Sequence, residues 1–532
     1  MVVRLIKPAS RGTYTDRGSR QAGMIDEIRG GVMPVEVDGP GWVDHSTQPI
    51  MGLFPLAVEQ YLNSAVAIHA PGVTTVTTAA RYYALHGLVA DEATRVGMDA
   101  TAARDLLRRA EVVYALACMS HRERDGHEGW LPAPHGEDRL RRALEAGPVD
   151  LDVAAGVGPG KYANASWGFW GAYRGSEMTL NVLDRDSFAP GAAFDATTVR
   201  SELGGVLDLA RSATALGLDD VVHLAHTCLC RADRREDGRW LAQQFAGRAA
   251  DSGTVAGVLG QTMQMIAAAI ESEPVRSYDA LGQVLMYGPV IAEHSRSTDI
   301  WRRWRGLRQR AESVHAWRRL WTHMCGHLPE DGAMTRVRLG ELLADQLPAQ
   351  SVTDYEAGLP PVIGPDDTPL PAETSPEVAD RGLVDAALAT LILGGHRHAA
   401  FDPTSFERLG FEGPLSHKLA VEELSPHWVA QSIDAWRPRS LRDFALYLAG
   451  VMVNRAHRVA MRKTYFRKSD QRWVVPLRVM VHDDLVIRLF GEVAREPSLR
   501  LTQLMSMARQ TGLLARDPDD RWVRGPRGDL LG

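Results

Sequence analysis

The sequence is poor in cysteine and in long hydrophobic runs. Cys118, Cys228, Cys230 and Cys325 are four cysteines among 532 residues, which excludes a disulfide-stabilised scaffold and indicates reduced thiols. The longest apolar stretch begins at Leu383 and is too short and too interrupted to span a bilayer. The first residues lack the apolar core and cleavage site of a secretory signal peptide. We therefore expect a cytoplasmic protein with no membrane partner.

Lysine is also scarce, and arginine carries almost all of the positive charge. Lys7, Lys161, Lys418, Lys463 and Lys468 are the lysines among 60 basic residues, which 66 acidic residues outnumber to give a net charge of −6. That balance alone predicts no affinity for nucleic acid. However, residues 434–532 carry 19 Arg and Lys against 11 Asp and Glu, and the remainder has a net charge of −14. A basic C-terminal fifth on an acidic body indicates an anionic partner at that end.

Helical periodicity is abundant in this sequence. The apolar fraction of 45% and the charged fraction of 24% are ordinary for globular proteins and exclude a disordered or fibrous chain. Asp99 and Thr101 are the N-cap candidates of one helix and Ser440 is that of a long helix, and tryptophans repeat at helical spacing between Trp301 and Trp321. The predicted fold class is mostly α, a multi-domain helical body with a C-terminal winged helix-turn-helix-like module.

Composition divides the chain into five segments. Residues 1–50 are predicted to be a flexible N-terminal arm, and residues 51–345 a helical body with a Gly- and aromatic-rich insertion near 145–190. Residues 346–380 are predicted to be an acidic linker, because seven prolines and no Lys or Arg lie between 348 and 376. Residues 381–475 are predicted to form a second helical region that ends in a basic helix, and residues 476–532 the winged-helix-like module.

The last segment has the element order of a winged helix-turn-helix. A helix is predicted near 483–496, a second helix from about 499 to 510 ends at Gly512, and residues 513–523 form a strand-turn-strand. In DNA-binding proteins of this kind the second helix enters the major groove. Winged helices also serve as protein-docking or dimerisation modules, and that alternative stays open.

The predicted nucleic-acid contacts are basic and amide side chains of the C-terminal fifth. The basic helix and its continuation interleave positive charge with Tyr465 and Phe466, a mixture that suits a nucleic-acid backbone. A solvated, arginine-rich helix face would give the same pattern. The predicted residues are Arg455, Arg458, Arg462, Lys463, Arg500, Gln503, Arg509, Arg521 and Arg524.

A second candidate site has the chemistry to bind an anion. Arg81, Tyr82 and His86 follow a run of threonines near the start of a predicted helix, where an anion can be held. The same residues could instead form the polar seam between two packed helices.

Histidine and cysteine residues form two candidate metal-ligand clusters. On one helix face His223, His226 and Cys230 would lie together, and the cluster His323, Cys325 and His327 could complete a tetrahedral zinc sphere. Packing between helices is the simpler interpretation of these residues. A third cluster combines histidines with carboxylates and has the chemistry of metal ligands. The same residues could instead form an exposed helix end and loop. They are His121, Glu123, Asp125, His127 and Glu128. No cofactor is expected, and zinc is the one candidate.

The leading hypothesis is a non-enzymatic, cytoplasmic bacterial protein that acts as a nucleic-acid-associated accessory or regulatory subunit. Genome maintenance, transcription control and defence against foreign DNA all fit such a subunit, which would contact protein partners through its helical body and DNA through its winged helix. One alternative is a metal-dependent hydrolase or nuclease that uses the His, Cys and acidic clusters. The other is a scaffold that binds proteins only.

Overall fold

The computed structural model describes residues 47–126, 130–158, 161–162, 165–248, 254–288, 298–330, 332–365, 368–412 and 423–532. Residues 1–46 of the predicted arm lie outside this part of the chain, as do His127 and Glu128 of the mixed cluster. The chain is mostly helical, which confirms the predicted fold class at that level.

The helices up to residue 287 are α1 (Glu59–His69), α2 (Arg81–Val96), α3 (Ala100–Asp125), α4 (Glu137–Leu144), α5 (Leu151–Ala154), α6 (Trp170–Thr179), α7 (Ala196–Ser212), α8 (Glu236–Phe245), α9 (Val255–Ser272) and α10 (Tyr278–Tyr287). The later helices are α11 (Thr298–His327), α12 (Arg336–Ala344), α13 (Val352–Ala357), α14 (Pro376–Ala379), α15 (Leu383–Ala400), α16 (Phe406–Glu412), α17 (Pro426–Trp436), α18 (Leu441–Lys463) and α19 (Leu501–Gln510). Short 3₁₀ helices cover Val222–Thr227, Leu229–Arg234, Ala372–Thr374 and Gly528–Leu531.

The strands are few and short: β1 (Thr47–Met51), β2 (Val149–Asp150), β3 (Ala215–Leu216), β4 (Ala333–Thr335), β5 (Tyr465–Arg467), β6 (Arg472–Leu477), β7 (Val479–His482), β8 (Leu485–Arg488), β9 (Leu514–Arg516) and β10 (Trp522–Arg524). In the described ranges, every helix is too short or too polar to cross a lipid bilayer.

Side-chain caps begin two of the long helices where the sequence predicts them. The carboxylate of Asp99 accepts hydrogen bonds from the backbone N–H groups of Thr101 (2.8 Å) and Ala102 (2.9 Å) at the start of α3. The hydroxyl of Ser440 accepts one from Asp443 N–H (3.1 Å) at the start of α18. Each cap satisfies donors that have no partner inside the helix.

Close contacts divide the chain into two compact units, each built from two segments distant in sequence. Unit 1 consists of the described residues of Met1–Leu62 and Gln309–Pro497, and unit 2 of those of Asn63–Arg308 and Ser498–Gly532.

Unit 2 has a helical core to which the end of the chain contributes. Helices α2, α3 and α7 pack on one another, and α8 and the two 3₁₀ helices between residues 222 and 234 pack beside them. The C-terminal helix α19 buries Leu501, Leu504 and Met505. The antiparallel hairpin β9–β10 joins the same core, where Trp522 N–H donates to the carbonyl of Val275 at 2.8 Å. The last 35 residues of the chain are therefore part of this unit.

Unit 1 combines helix pairs with two small sheets. Helix α12 packs on α18, and α15 packs on α17. One sheet has the order β1-β6-β5, with β1 parallel and β5 antiparallel to β6, and the other has the antiparallel order β4-β8-β7. The first sheet follows directly on the basic helix α18 and places β5 at its edge.

The winged helix-turn-helix is not confirmed. Its predicted second helix and hairpin are present as α19 and β9–β10, but residues 479–488 form the hairpin β7–β8 where the sequence predicted the start of a helix. Two physical reasons favour the hairpin. Asp483 adopts a left-handed backbone with φ of 51° in the connecting turn, and the flanking residues Val479, Val481, Val486 and Ile487 are β-branched. Residues 489–500, all of them described, contain no helix.

Candidate functional sites

The basic residues of α18 are mostly engaged within unit 1. Arg455 is buried and donates through Nε to the carbonyl of Leu56. Arg458 pairs with Glu423, and Lys463 Nζ donates to the carbonyls of Leu53 (2.6 Å) and Phe54 (3.2 Å). Arg455 and Lys463 thereby fix the segment that precedes α1.

Arg462 is exposed, as is Arg458, and it lies at the end of α18 that leads into the hairpin β5–β6. Three large aromatic side chains are exposed there, with relative exposures of 47% for Tyr465, 40% for Phe466 and 42% for Trp473. Phe466 and Trp473 are opposite each other in the strand register, and their ring centroids are 5.4 Å apart. Aromatic side chains of this size are highly buried on average, so an exposed cross-strand pair is a candidate binding surface.

Basic residues are adjacent to this aromatic pair in the sequence. Lys468 and Arg472 are exposed at or next to the turn of the hairpin. Arg472 pairs with Arg467 in the strand register and therefore lies on the other face of the hairpin from the two rings. Arg467 forms an ion pair with Asp470 across the same turn. We refer to Arg462, Phe466, Lys468, Arg472 and Trp473 as the hairpin patch. The sequence predicted a mixture of aromatic and basic residues at the end of the basic helix. Arg472 and Trp473 lie in β6, beyond that predicted segment, and were missed.

The predicted residues of α19 and β9–β10 belong to unit 2 and are held by internal contacts. Six of the ten residues of α19 are buried, and Gln503 and Arg509 lie on a half-buried strip. Arg500 donates to the carbonyl of Val73 at 2.7 Å, and the Arg509 guanidinium stacks 3.7 Å from the ring centroid of Trp130. This helix is part of a packed core, in contrast to a recognition helix that must project into a groove.

The arginines of the C-terminal hairpin are neutralised by carboxylates. Arg521 pairs with Asp517 at 2.8 Å and with Asp519 at 3.0 Å, and Arg524 pairs with Glu271. The nine predicted residues are thus divided between the two units, and Arg455, Arg458, Arg521 and Arg524 already pair with carboxylates.

The anion-binding candidates Arg81, Tyr82 and His86 are fully buried in α2. The guanidinium of Arg81 forms two hydrogen bonds of 2.7 Å with the carboxylate of Asp237. Its Nη1 also donates to the backbone carbonyls of His226 (2.8 Å) and Cys228 (2.7 Å). This side chain therefore ties the chain before and after residue 227 to the helical core.

His86 lies between two buried carboxylates. Its Nδ1 is 2.6 Å from Glu177 Oε1, and its Nε2 is 3.1 Å from Glu111 Oε1. Burial alone would lower the pKa of His86, but the two carboxylates outweigh burial and raise it to about 9. The imidazole is therefore charged at neutral pH and forms part of a closed polar network. Such a network specifies how the surrounding helices pack.

The predicted metal clusters are not assembled as the sequence suggested. His223 and His226 lie on one 3₁₀ helix and Cys230 on the next, because the chain bends at Cys228 (φ −56°, ψ 146°). His226 Nε2 contacts the carbonyl of Glu202 at 3.1 Å.

The second cluster lies on α11 within unit 1, and His327 Nδ1 there contacts the carbonyl of its neighbour His323 at 2.8 Å. Cys325 is buried beside them. The two predicted halves of the zinc sphere thus belong to different units.

Cys230 instead meets two residues that the sequence analysis did not combine with it. Ligand atoms of His121, Cys228 and Cys230 all lie within 4.8 Å of one another. Hydrogen bonding with Cys118, supported by burial, raises the pKa of the Cys228 thiol above its ordinary value. On a continuous α-helix Cys228 would point away from Cys230, and the break between the two 3₁₀ helices brings the two thiols together.

Cys230 also lines a cavity of about 200 Å³ in unit 2. Three arginines and an aromatic ring share its wall: Arg234, Arg509, Arg516 and Trp130. Asp233 also lines the cavity, so its wall is polar and carries three positive charges and one negative charge.

Comparisons of the chain with models of protein families, with curated proteins and with solved structures found no match. Its function is therefore inferred from its own residues.

Proposed function

We propose that the protein binds single-stranded nucleic acid through the hairpin patch of unit 1, as a non-enzymatic nucleic-acid-associated protein. The observation that carries this proposal is the exposed cross-strand pair of Phe466 and Trp473. Unpaired bases stack on exposed aromatic rings, and this interaction tolerates any base sequence because every base has a flat face.

Exposed positive charge on and next to the hairpin supports the same ligand. Arg462, Lys468 and Arg472 are exposed on or next to the hairpin. Basic side chains that flank aromatic rings attract the phosphate backbone while the bases stack. The exposed rings of this hairpin are accessible to bases that are not stacked in a helix. In a duplex the bases stay stacked inside the helix and cannot reach the rings.

The test is binding of labelled oligonucleotides to the full chain, followed by fluorescence anisotropy across a series of salt concentrations. Single-stranded DNA and RNA are expected to bind more tightly than a duplex of the same length. If the three exposed cations each contact one phosphate, log K should fall against log salt with a slope of about −2, since each contact to a single strand contributes roughly −0.7.

Two results would contradict the proposal. Preference for the duplex would move the interface away from the stacking pair, and would favour a groove-binding element instead. Absence of binding to every oligonucleotide at low salt would leave the patch as a docking surface for an acidic protein.

A further inference from the structure

A cluster of thiol and imidazole side chains lies in the core of unit 2. Cys118 and His121 are separated by one helical turn on α3, and Cys228 and Cys230 flank the junction of the two 3₁₀ helices. The ligand atoms of His121, Cys228 and Cys230 are mutually within 4.8 Å. A tetrahedral zinc ion with Zn–S bonds of about 2.3 Å needs its ligands within about 4 Å of one another, so small side-chain rotations suffice to close the cluster around an ion.

The imidazole of His121 is already oriented as a metal-binding histidine. Its Nδ1 lies 2.9 Å from Asp125 Oδ2, one turn further along α3, and the ring also hydrogen-bonds the Cys230 thiol. Histidines that bind metals generally donate their second ring N–H to a carboxylate, which fixes the tautomer and the ring plane. The contact with Asp125 therefore leaves Nε2 available on the side of the two thiols.

The backbone that carries Cys228 is held in place before any metal binds. Arg81 donates to the carbonyls of His226 and Cys228 while it pairs with Asp237. The side chains of Arg81 and Asp237 are both completely buried. The position of Cys228 is thus set by the helical core, as expected for a ligand in a preorganised site.

We propose that His121 Nε2 and the sulfur atoms of Cys228 and Cys230 bind one zinc ion, with the fourth coordination position open towards the basic cavity. Thiolate and imidazole donors suit zinc and discriminate against magnesium and calcium, which prefer oxygen. Binding deprotonates the two thiols, and their protons pass to solvent. Cys118 hydrogen-bonds Cys228 and acts as a positioning residue.

The open position follows from the number of ligands and from the cavity. Three protein ligands leave one corner of a tetrahedron, as in zinc sites that bind water or an exogenous ligand. Cys230 forms part of the wall of the 200 Å³ cavity, together with Arg234, Arg509 and Arg516. Three guanidinium groups against the one carboxylate of Asp233 give the lining a net positive charge, which favours a small anion as the exogenous ligand.

The experiment measures zinc per chain by plasma mass spectrometry in the purified full-length protein. We expect one zinc in the wild type and close to none in Cys228→Ser, Cys230→Ser and His121→Gln. Two controls are expected to retain the ion: Cys325→Ser in unit 1, and His226→Gln. Circular dichroism of every variant separates loss of metal from loss of fold.

A second measurement uses the wild type alone and needs no variant to fold. The chain is stripped with a chelator and titrated with cobalt(II), which should give intense visible bands of four-coordinate cobalt and a near-ultraviolet thiolate charge-transfer band. Azide should then shift the visible bands, because it reaches the open position.

Several outcomes would overturn the inference. A disulfide between Cys228 and Cys230, detected as a loss of two free thiols in denaturant, excludes them as ligands. If Cys228→Ser or Cys230→Ser still contains zinc, the ion is bound at another site. Cobalt bands that are insensitive to azide rule out an open position.

Discussion

Arg81 and Asp237 are joined by two hydrogen bonds of 2.7 Å, and both side chains are completely buried. The bidentate geometry matches the fork of the guanidinium to the two carboxylate oxygens. Buried pairs of this kind add little net stability, but removing one partner leaves a buried charge without compensation. The integrity of unit 2 therefore depends on this pair being complete.

Asp237→Asn is expected to lower the free energy of unfolding by about 3–5 kcal/mol, because the buried guanidinium loses its counter-charge. Urea denaturation monitored by circular dichroism measures the change. The matched control is Asp138→Asn, which removes the carboxylate that pairs with Arg142 on the exposed face of α4 and should change stability by less than about 1 kcal/mol. Equal effects of the two variants would show that burial does not control the strength of this contact.

Stability should fall between pH 6.5 and about 9, because the pKa of His86 is raised in the folded chain to about 9. A raised pKa contributes stability that is complete below the unfolded value of 6.5 and is lost as the pH rises through the folded value. The shift corresponds to roughly 3 kcal/mol. Burial raises the pKa of Glu111 and of Glu177 as well. A raised carboxylate pKa also makes stability fall as the pH rises, so the slope of stability against pH has the same sign.

The variant His86→Gln tests this assignment. Its stability is expected to be lower at pH 6 and to lack the His86 part of the decline towards pH 9, when urea midpoints are compared across the range. His327→Gln, an exposed histidine of α11, serves as the control and should keep the wild-type profile. A variant of His86 with an unchanged slope would assign the decline to other groups.

Trp473→Ala and Phe466→Ala are each expected to weaken binding of single-stranded DNA by about 1–3 kcal/mol, which is the usual value of one base stacked on an aromatic ring. Fluorescence anisotropy gives the dissociation constants. Phe54→Ala removes another exposed aromatic side chain of unit 1, located beyond the opposite end of β6. This control should bind like the wild type, and a comparable loss in it would indicate that any exposed ring contributes.

Lys468→Glu and Arg472→Glu should weaken oligonucleotide binding and reduce the magnitude of the salt slope by about 0.7 for each phosphate that is no longer bound. Arg521→Glu and Arg524→Glu make the same change of charge on the C-terminal hairpin, where carboxylates already pair with the guanidinium groups. We expect these two to have little effect. If Arg521→Glu and Arg524→Glu weakened binding more than the two hairpin-patch variants, the interface would lie at the C-terminal arginines that the sequence predicted.

Gly238→Ala is expected to destabilise unit 2 strongly. A Cβ at this position of α8 would lie 1.7 Å from the carbonyl oxygen of Ala232, in the 3₁₀ helix that carries Cys230. Gly171, on α6, has open space at the same position, and Gly171→Ala should stabilise by up to about 1 kcal/mol through helix propensity. Thermal melts of the two variants should therefore move in opposite directions.

The sequence predicted best those features that depend on neighbouring residues. The caps Asp99 and Ser440 were identified correctly because a cap is a local contact between a side chain and the next turn. The helix expected near 483–496 was wrong, since the β-branched residues on both sides of Asp483 pair into a hairpin. Local patterns of this length do not separate a short strand from a helical turn.

The candidate sites were harder to predict because they depend on contacts across the chain. No local signal shows that Arg524 is neutralised by Glu271 or that Arg500 bonds to Val73. The cluster of His121, Cys228 and Cys230 was missed for a similar reason, because His121 and Cys228 are more than a hundred residues apart. The aromatic and basic composition around Phe466 was visible from the sequence, whereas its exposure was not.

The construction of unit 2 from two distant segments has a consequence for how the chain is made. Residues 63–308 are synthesised first, but their core includes α19 and Trp522, which belong to the last 35 residues. During translation the apolar surface that receives these elements stays uncovered until residues 498–532 have left the ribosome. Unit 2 therefore cannot complete its folding before these residues are available, and a product terminated ahead of them exposes that surface to chaperones and proteases.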